Sequence, residues 1–139
     1  MRIFLDTSIL IEYVKGTKTK LLETIVDYEI ESCINDIVYS EFTFHFLSLM
    51  SGKSPLRLKK AFKIREILDE NEPIEFIDKF TILEMNRDIL MKSYDLMKKY
   101  NFLPNDALIL STCDFYGIKY LASYDEDFKG AIEEGINLK

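Results

Sequence analysis

The sequence has little of the residues that build zinc sites and disulfides. Its 139 residues include no tryptophan, one histidine and two cysteines. Cys33 and Cys113 form no C-x-x-C pair, and the absence of any Cys/His ligand spacing argues against a zinc site. Free thiols are typical of a reducing compartment, so we expect the protein to be cytoplasmic.

Long apolar runs, prolines and glycines are also scarce. No stretch approaches the roughly 18 consecutive apolar residues of a membrane span, so we expect no membrane partner. Three prolines, five glycines and 47% apolar residues argue against a disordered or fibrous chain. A chain of this length buries about two thirds of the surface that its unfolded form exposes. We therefore expect one domain over residues 1–139.

The charge is acidic overall, with 18 basic residues, 24 acidic residues and a formal net charge of −6. Taken alone, this balance argues against a nucleic-acid partner. The basic residues are unevenly spread, since six of them and no acidic residue lie between Lys53 and Arg65. A helical wheel places Lys59, Lys60 and Lys63 together, which indicates either a solvated helix face or a ridge that binds RNA phosphates. The opposite, apolar stripe consists of Leu58, Ala61, Phe62, Ile64 and Leu68.

Short apolar segments predict the strands of a parallel sheet. The predicted strands cover residues 1–5, 29–34, 73–77, 118–123 and 136–138. Helical spacing predicts helices over about 8–16, 18–28, 36–50, 55–71, 78–100 and 104–116. Thr7 or Ser8 is expected to cap the first helix, and Asn35 and Asp36 the third. This alternation is typical of an α/β fold whose sheet is covered on both faces, with sites beyond the carboxyl ends of the strands.

Four acidic residues lie at positions that converge in such a fold. Asp6 ends the first strand and Asp125 follows the fourth, so adjacent parallel strands bring both to one edge. Asp106 lies in the first turn of a helix, where unpaired N–H groups and the helix dipole favour an anion. Glu41 lies at the margin of the apolar face of its helix, where an unpaired carboxylate is costly. Each acid alone has an ordinary structural explanation, and the case for function rests on the four together.

Clustered carboxylates take up protons or bind a cation. Two of them 4 Å apart repel by about 4 kcal/mol at an effective dielectric constant near 20. Oxygen ligands suit a hard ion such as Mg²⁺ or Mn²⁺ rather than zinc. His45, one turn beyond Glu41, is either a further ligand or, more simply, a packed or hydrogen-bonded histidine.

Four segments resemble the acidic motifs of PIN-domain ribonucleases, and within that family the VapC-type toxins of toxin–antitoxin pairs. They are LDTSIL at 5–10, SEFTF at 40–44, LPNDALIL at 103–110 and LASYDEDF at 121–128. The resemblance implies a three-layer α/β/α sandwich with a central, mostly parallel sheet of about five strands. It also implies an acidic pocket that holds one or two Mg²⁺ or Mn²⁺ ions, and endonucleolytic cleavage of RNA.

The resemblance also implies roles for particular residues and partners for the chain. By position, the family's catalytic, metal-binding acids fall on Asp6, Glu41, Asp106 and Asp125, and Asp127 is an ambiguous fifth ligand. The family often has a supporting hydroxyl or amide at the positions of Thr7, Ser8 and Ser123. The implied partners are RNA, an antitoxin and a second copy of the chain. The aromatic residues of the helix at 36–50 serve either core packing or such an interface.

Three other functions are compatible with parts of this pattern. One is an RNA-processing nuclease of the same fold without an antitoxin, and another is a catalytically silent module that binds protein or RNA. The third is a phosphatase of the haloacid-dehalogenase type, with Asp6 as its nucleophile. Phosphatases of that type carry the motif D-x-D-x-T after the first strand. This chain has Ser8 in place of the second aspartate, which argues strongly against such a phosphatase.

Overall fold

A parallel sheet organises the part of the chain that this computed structural model describes, residues 1–128 and 137–138. Its order is β3-β2-β1-β4-β5, and all four neighbouring pairs are parallel. The strands are β1 Arg2–Leu5, β2 Glu31–Ile34, β3 Thr81–Ile82, β4 Tyr120–Ala122 and β5 Asn137–Leu138. The predicted α/β fold is thereby confirmed, while Ile136 of the predicted last strand lies outside the described residues.

The register brings the carboxyl ends of β1, β2 and β4 to one edge of the sheet. Phe4 lies opposite Cys33 of β2, and Leu5 lies opposite Ala122 of β4. All four of these side chains are fully buried, as expected for strands that are covered by helices on both faces. The backbone N–H of Asp6 donates to the carbonyl of Ala122 at 3.0 Å, so the first acid sits directly at this edge.

Eight helices flank the sheet within the described residues. They are α1 Thr7–Lys15, α2 Lys20–Asp27, α3 Asp36–Ser51, α4 Pro55–Lys60, α5 Ile64–Asn71, α6 Pro73–Ile77, α7 Arg87–Tyr100 and α8 Pro104–Phe115. None of these described helices has the length and apolarity needed to cross a membrane. Asn35 caps α3 as predicted, since its side chain accepts from the N–H of Val38 at 3.1 Å. The cap predicted for α1 is wrong, because Asp6 occupies that position and the hydroxyls of Thr7 and Ser8 donate to carboxylates instead.

The prediction for residues 73–100 is wrong in two places. The segment predicted as a strand is helix α6, and the strand follows at Thr81–Ile82. Pro73 suits the first turn of a helix because its missing N–H would have no helical partner there. The predicted long helix begins only at Arg87, where Asn86 caps it by accepting from the N–H of Ile89 at 3.0 Å.

The helix predicted over 55–71 is divided into α4 and α5 by a turn at 61–63. Phe62 has a φ of +56°, in the left-handed region that ends a helix. Because of this turn, the residues of the predicted apolar stripe no longer share one helix face. Leu58 is buried, whereas Phe62 is 92% exposed. The five residues of the predicted apolar stripe therefore do not form one buried face.

Helix α3 packs only part of its aromatic residues into the core. Phe42 and Phe46 are buried, and the ring of Phe42 lies 5.6 Å from that of Phe76. Tyr39 and Phe44 are exposed by 43% and 57%. Core packing therefore explains Phe42 and Phe46, whereas Tyr39 and Phe44 are exposed at two different positions around the helix.

Candidate active site

The carboxyl edge of the sheet carries a cleft of about 280 Å³. Its described lining consists of Asp6, Thr7, Ser8, Ile11, Glu12, Glu41, His45, Asp106 and Asp125. A second depression shares Asp106 with this cleft and adds Asp127. The five acids singled out from the sequence therefore lie at two adjoining depressions. The rule that sites form beyond the carboxyl ends of parallel strands holds for them.

Asp106, Asp125 and Asp127 form the tightest group of acids. One carboxylate oxygen from each of them lies within 4.8 Å of the other two. The N–H of Asp127 donates to Oδ1 of Asp125 at 2.9 Å, which orients that carboxylate. Burial, followed by repulsion from Asp6 and from its other acidic neighbours, raises the pKa of Asp106 to about 6. Ionisation of Asp106 is therefore disfavoured by its burial and by the negative charges around it.

Asp6 is buried, with 6% of its surface exposed, and is held by two hydroxyl groups. Ser123 donates to Oδ2 at 2.8 Å and Ser8 donates to the same oxygen at 3.0 Å. Burial raises the pKa of Asp6, and these two hydrogen bonds oppose that rise. Ser123 also accepts the N–H of Asp125 at 2.9 Å, so one hydroxyl joins two of the acids.

Glu41 reaches the cleft from α3 and is held by two neutral donors. Thr7 donates to Oε1 at 3.0 Å, and the amide of Asn105 donates to Oε2 at 3.2 Å. The sequence offers no basic partner for Glu41, and the structure shows that a hydroxyl and an amide provide its hydrogen bonds. Sequence reasoning missed Asn105, and the available signal was its position beside Asp106 in the first turn of α8.

A buried contact between α3 and α8 lies behind the cleft. Asn35 is fully buried and donates from Nδ2 to the hydroxyl of Thr112 at 2.9 Å. The same side chain caps α3 through Oδ1. This bond ties the start of the helix that carries Glu41 to the helix that carries Asp106. The cap was predictable from local sequence, whereas the contact with Thr112, 77 residues away, was not.

Two further residues with ionisable groups line the cleft. His45 is exposed there, so it is not the packed histidine that its helical position suggests. Glu12, which sequence reasoning did not single out, accepts from the hydroxyl of Thr17 and lies 3.6 Å from the ammonium group of Lys15. The hydrogen bond from Thr17 is the main reason that the pKa of Glu12 is lowered.

The predicted RNA-binding lysines lie apart from the acids. Lys59 ends α4 with Lys60, Lys63 precedes α5, and none of the three lines the acidic cleft. All three are exposed, and Lys63 pairs with Glu66 at 3.2 Å. The structure therefore brings the acids together and leaves the lysines on a separate surface.

The donor set at the carboxyl edge fits a hard divalent cation. None of the ion pairs among residues 1–128 involves Asp6, Glu41, Asp106, Asp125 or Asp127. The recorded partners of Asp6, Glu41 and Asp125 are hydroxyl, amide and backbone N–H groups, which orient a carboxylate without cancelling its charge. Oxygen donors in this number suit Mg²⁺ or Mn²⁺. The raised pKa of Asp106 reflects its burial and the negative charge of its acidic neighbours. A bound cation would offset that negative charge.

Comparison with known proteins identifies the family. A family model described as the PIN domain matches residues 3–133, a range that includes all five acids. The chain belongs to the PIN-domain family. Two curated relatives from Methanocaldococcus jannaschii also match the chain over most of its length. Ribonuclease VapC2 is 41% identical over 130 residues, with 92% of this chain and 87% of the relative covered. Ribonuclease VapC6 is 33% identical, with 91% and 90% covered.

The fold of this PIN domain is also found in solved structures. One is the crystal structure of VapBC2 from Rickettsia felis bound to a DNA fragment from their promoter. It aligns with a TM-score of 0.66 and 18% identity, covering 100% of this chain and 98% of that one. At this identity the likeness establishes the fold alone, and it confirms the parallel sheet flanked by helices.

Proposed function

We propose that this PIN domain is a divalent-metal-dependent endoribonuclease and the toxin component of a VapBC-type pair. The observation that carries the proposal is the convergence of five carboxylates on one edge of the sheet, with three of them within 4.8 Å. Membership of the PIN family and 41% identity to a protein named ribonuclease VapC2 support RNA as the substrate. The reaction is hydrolysis of a phosphodiester bond.

Asp6, Glu41, Asp106 and Asp125 are the proposed catalytic acids. Together with Asp127, they would hold Mg²⁺ or Mn²⁺, as one ion or two. The bound ion supplies a Lewis acid for a phosphate oxygen and makes a coordinated water more acidic. The remaining chemistry is positioning, which the chain's own hydroxyl and amide groups perform.

The supporting residues keep the acids in place before any cation binds. Ser8 and Ser123 hold one oxygen of Asp6, and Thr7 holds one oxygen of Glu41. The two bonds to Asp6 favour its ionised form, because a hydroxyl can donate to a carboxylate, and they oppose the effect of burial on its pKa. A carboxylate that is already oriented loses little freedom when it takes part in catalysis, which is the advantage of a preorganised site.

The proposed partners are RNA, a cognate antitoxin and a second copy of the chain. Structural neighbours that contain VapBC proteins support an antitoxin. The exposed aromatic residues Tyr39 and Phe44 on α3 provide an apolar surface of the kind that protein interfaces cover. A cytoplasmic location suits the two free, buried cysteines. One domain over residues 1–139 stays a prediction.

Incubation with total RNA tests the activity and reveals the substrate together. We expect cleavage with Mg²⁺ or Mn²⁺ and none with a chelator, and mapping the ends gives the sequence that is cut. Intact RNA under all metal conditions, despite Mn²⁺ binding by calorimetry, would favour the silent module.

A growth assay separates the toxin from the RNA-processing enzyme. We expect expression of the chain alone to stop growth, and co-expression of a small reading frame adjacent to its gene to restore it. Cleavage in vitro without growth arrest would favour the RNA-processing nuclease over the toxin as the function of this chain.

A further inference from the structure

The turn between α4 and α5 presents an aromatic ring to solvent. Phe62 is 92% exposed, more than any other large apolar side chain among the described residues. It lies in a shallow depression of about 300 Å³ together with Lys59, Ile64 and Arg65. An exposed aromatic ring among basic side chains is accessible to a ligand from solvent.

The backbone at Phe62 adopts a conformation that suits glycine better than phenylalanine. The N–H of Lys63 bonds to the carbonyl of Leu58 at 2.9 Å, and the N–H of Phe62 bonds to that of Lys59 at 3.2 Å. These two bonds form the Schellman motif that ends a helix, and the residue in the left-handed position is normally glycine. Phe62 occupies that position with a φ of +56°. Since glycine would adopt this conformation without steric cost, the needs of the fold do not explain the phenylalanine.

The basic side chains around Phe62 differ in whether they form an ion pair with an acidic residue. Lys63 pairs with Glu66 at 3.2 Å, and Arg65 pairs with Asp69 at 3.3 Å. Lys59 and Lys60 take part in none of the ion pairs found within residues 1–128. Both are exposed on the last turn of α4. Unneutralised positive charge therefore lies on the helix turn directly before the exposed ring.

We propose that Phe62 is a stacking platform for an unpaired base of single-stranded RNA, with Lys59 and Lys60 contacting the neighbouring phosphates. An aromatic face beside free cations is the arrangement that binds single strands, because every base can stack and every nucleotide carries a phosphate. A duplex keeps its bases stacked inside and offers none to Phe62. This inference rests on the proposed ribonuclease function and adds the class of RNA, which is single-stranded at this contact.

The platform acts on binding rather than on the reacting bond. Helix α3 carries Glu41 in its second turn and ends at Ser51, about 15 Å further along its axis at 1.5 Å per residue. The connection to α4 begins at that far end. The depression at Phe62 also shares none of its described lining residues with the acidic cleft, so a base stacked on Phe62 belongs to a nucleotide other than the one that is cut. Loss of the ring should raise KM and leave kcat within about twofold.

Binding of labelled RNA to the full chain tests the platform. Asp106→Asn serves as the background so that RNA stays intact, and fluorescence anisotropy measures the affinity for unstructured oligouridine and for an RNA duplex. Phe62→Leu keeps an exposed apolar residue and the same backbone constraint but removes the aromatic face. We expect it to weaken oligouridine binding about tenfold, with Phe62→Tyr close to the parent and duplex binding unchanged.

Several outcomes would overturn the platform. One is an affinity for oligouridine that is the same in Phe62→Leu and in its parent. Another is a loss of affinity in Phe62→Leu that is equal for the single strand and the duplex. A shift in oligomeric state on Phe62→Leu, measured by analytical ultracentrifugation, would assign the ring to a protein interface. Phe62→Gly should leave Tm unchanged or raised while weakening binding, which a structural role would not do. Failure of the proposed function is distinguishable, because it appears as intact RNA after incubation of the wild-type chain with Mg²⁺ or Mn²⁺, whatever the affinities.

Discussion

The hydroxyl of Ser123 joins Asp6 and the backbone of Asp125. It donates to Oδ2 of Asp6 at 2.8 Å, across 117 positions of sequence, and accepts the N–H of Asp125 at 2.9 Å. Asp6 belongs to the end of β1, whereas Asp125 belongs to the loop after β4. One small side chain therefore sets the spacing between two acids from adjacent strands.

Ser123→Ala should lower cleavage while leaving the protein folded. We expect a loss of about tenfold in kcat/KM, as for other residues that orient a metal-binding group. Alanine fits the same space but offers neither a donor to Asp6 nor an acceptor to Asp125. Steady-state cleavage of a mapped RNA checks this, with exposed Ser40→Ala as a control of matched chemistry. Wild-type activity in Ser123→Ala would show that Asp6 needs no such support.

Asp106→Asn should abolish cleavage. We expect a loss of more than about 100-fold, because even outer-shell partners of a metal are worth roughly 10–100-fold. The amide keeps the size of the side chain and removes the charge that attracts Mg²⁺ or Mn²⁺. Asp114→Asn is the matched control, since Asp114 is exposed near the other end of the same helix, α8. Equal loss in both variants would point to damage of the helix rather than of a metal site.

The stability of the metal-free protein should fall as pH rises from about 4 to about 6. The pKa of Asp106 is raised from 3.8 to about 6 by burial and by neighbouring acids, so the folded state binds its proton more tightly than the unfolded state does. The favourable effect of this proton is present at low pH and is lost as pH passes the folded pKa. Because Asp106 is partly exposed, solvent screening reduces the effect to about 1 kcal/mol.

Urea denaturation in a chelator measures that effect as a difference. Asp106→Asn should be about 1 kcal/mol more stable than wild type at pH 7 and equal to it at pH 4. Added Mn²⁺ should reverse the order at pH 7, because a cation that binds only the folded wild type stabilises it. A difference that is independent of pH would contradict the raised pKa of Asp106, which burial and then its acidic neighbours produce.

Asn35→Ala should cost more stability than Asn86→Ala. Both residues cap helices through Oδ1, but Asn35 is also fully buried and donates to Thr112. We expect a loss of about 1 kcal/mol for Asn86→Ala, from the cap alone. The expected loss for Asn35→Ala is about 2–3 kcal/mol, since its removal also leaves Thr112 without that bond. Denaturant unfolding of both variants provides the comparison, and equal losses would mean that the contact with α8 contributes nothing.

Neutralising Lys59 and Lys60 should weaken RNA binding and flatten its salt dependence. For a single strand, the slope of log K against log salt falls by about 0.7 for each phosphate that the protein no longer neutralises. Lys63→Gln should have a smaller effect because Glu66 already pairs with Lys63. Lys119→Gln is a suitable control, since Lys119 precedes β4 at the opposite edge of the sheet. An unchanged slope in Lys59→Gln and Lys60→Gln would reject a phosphate-binding surface on α4.

Local signals predict most of the fold where they are unambiguous. The apolar run at 1–5 and the cap at Asn35 correspond to β1 and α3. The prediction for 73–77 is wrong because five apolar-rich residues suit a buried strand or a short helix equally well. The prediction of one helix over 55–71 is wrong because the break depends on a positive φ at Phe62, which no residue type there announces.

The sequence by itself determined which residues carry charge and where several of the strands and helices begin. It placed Asp6 after a strand and Asp106 in the first turn of a helix, since the spacing of apolar residues and the position of Pro104 are local properties. Tertiary structure alone decided which groups meet. The pairing of Leu5 with Ala122 brings Ser123 to Asp6, and the packing of α3 near α8 brings Asn105 to Glu41. Such contacts join residues far apart in the chain, and their energies become favourable only after the whole core has formed.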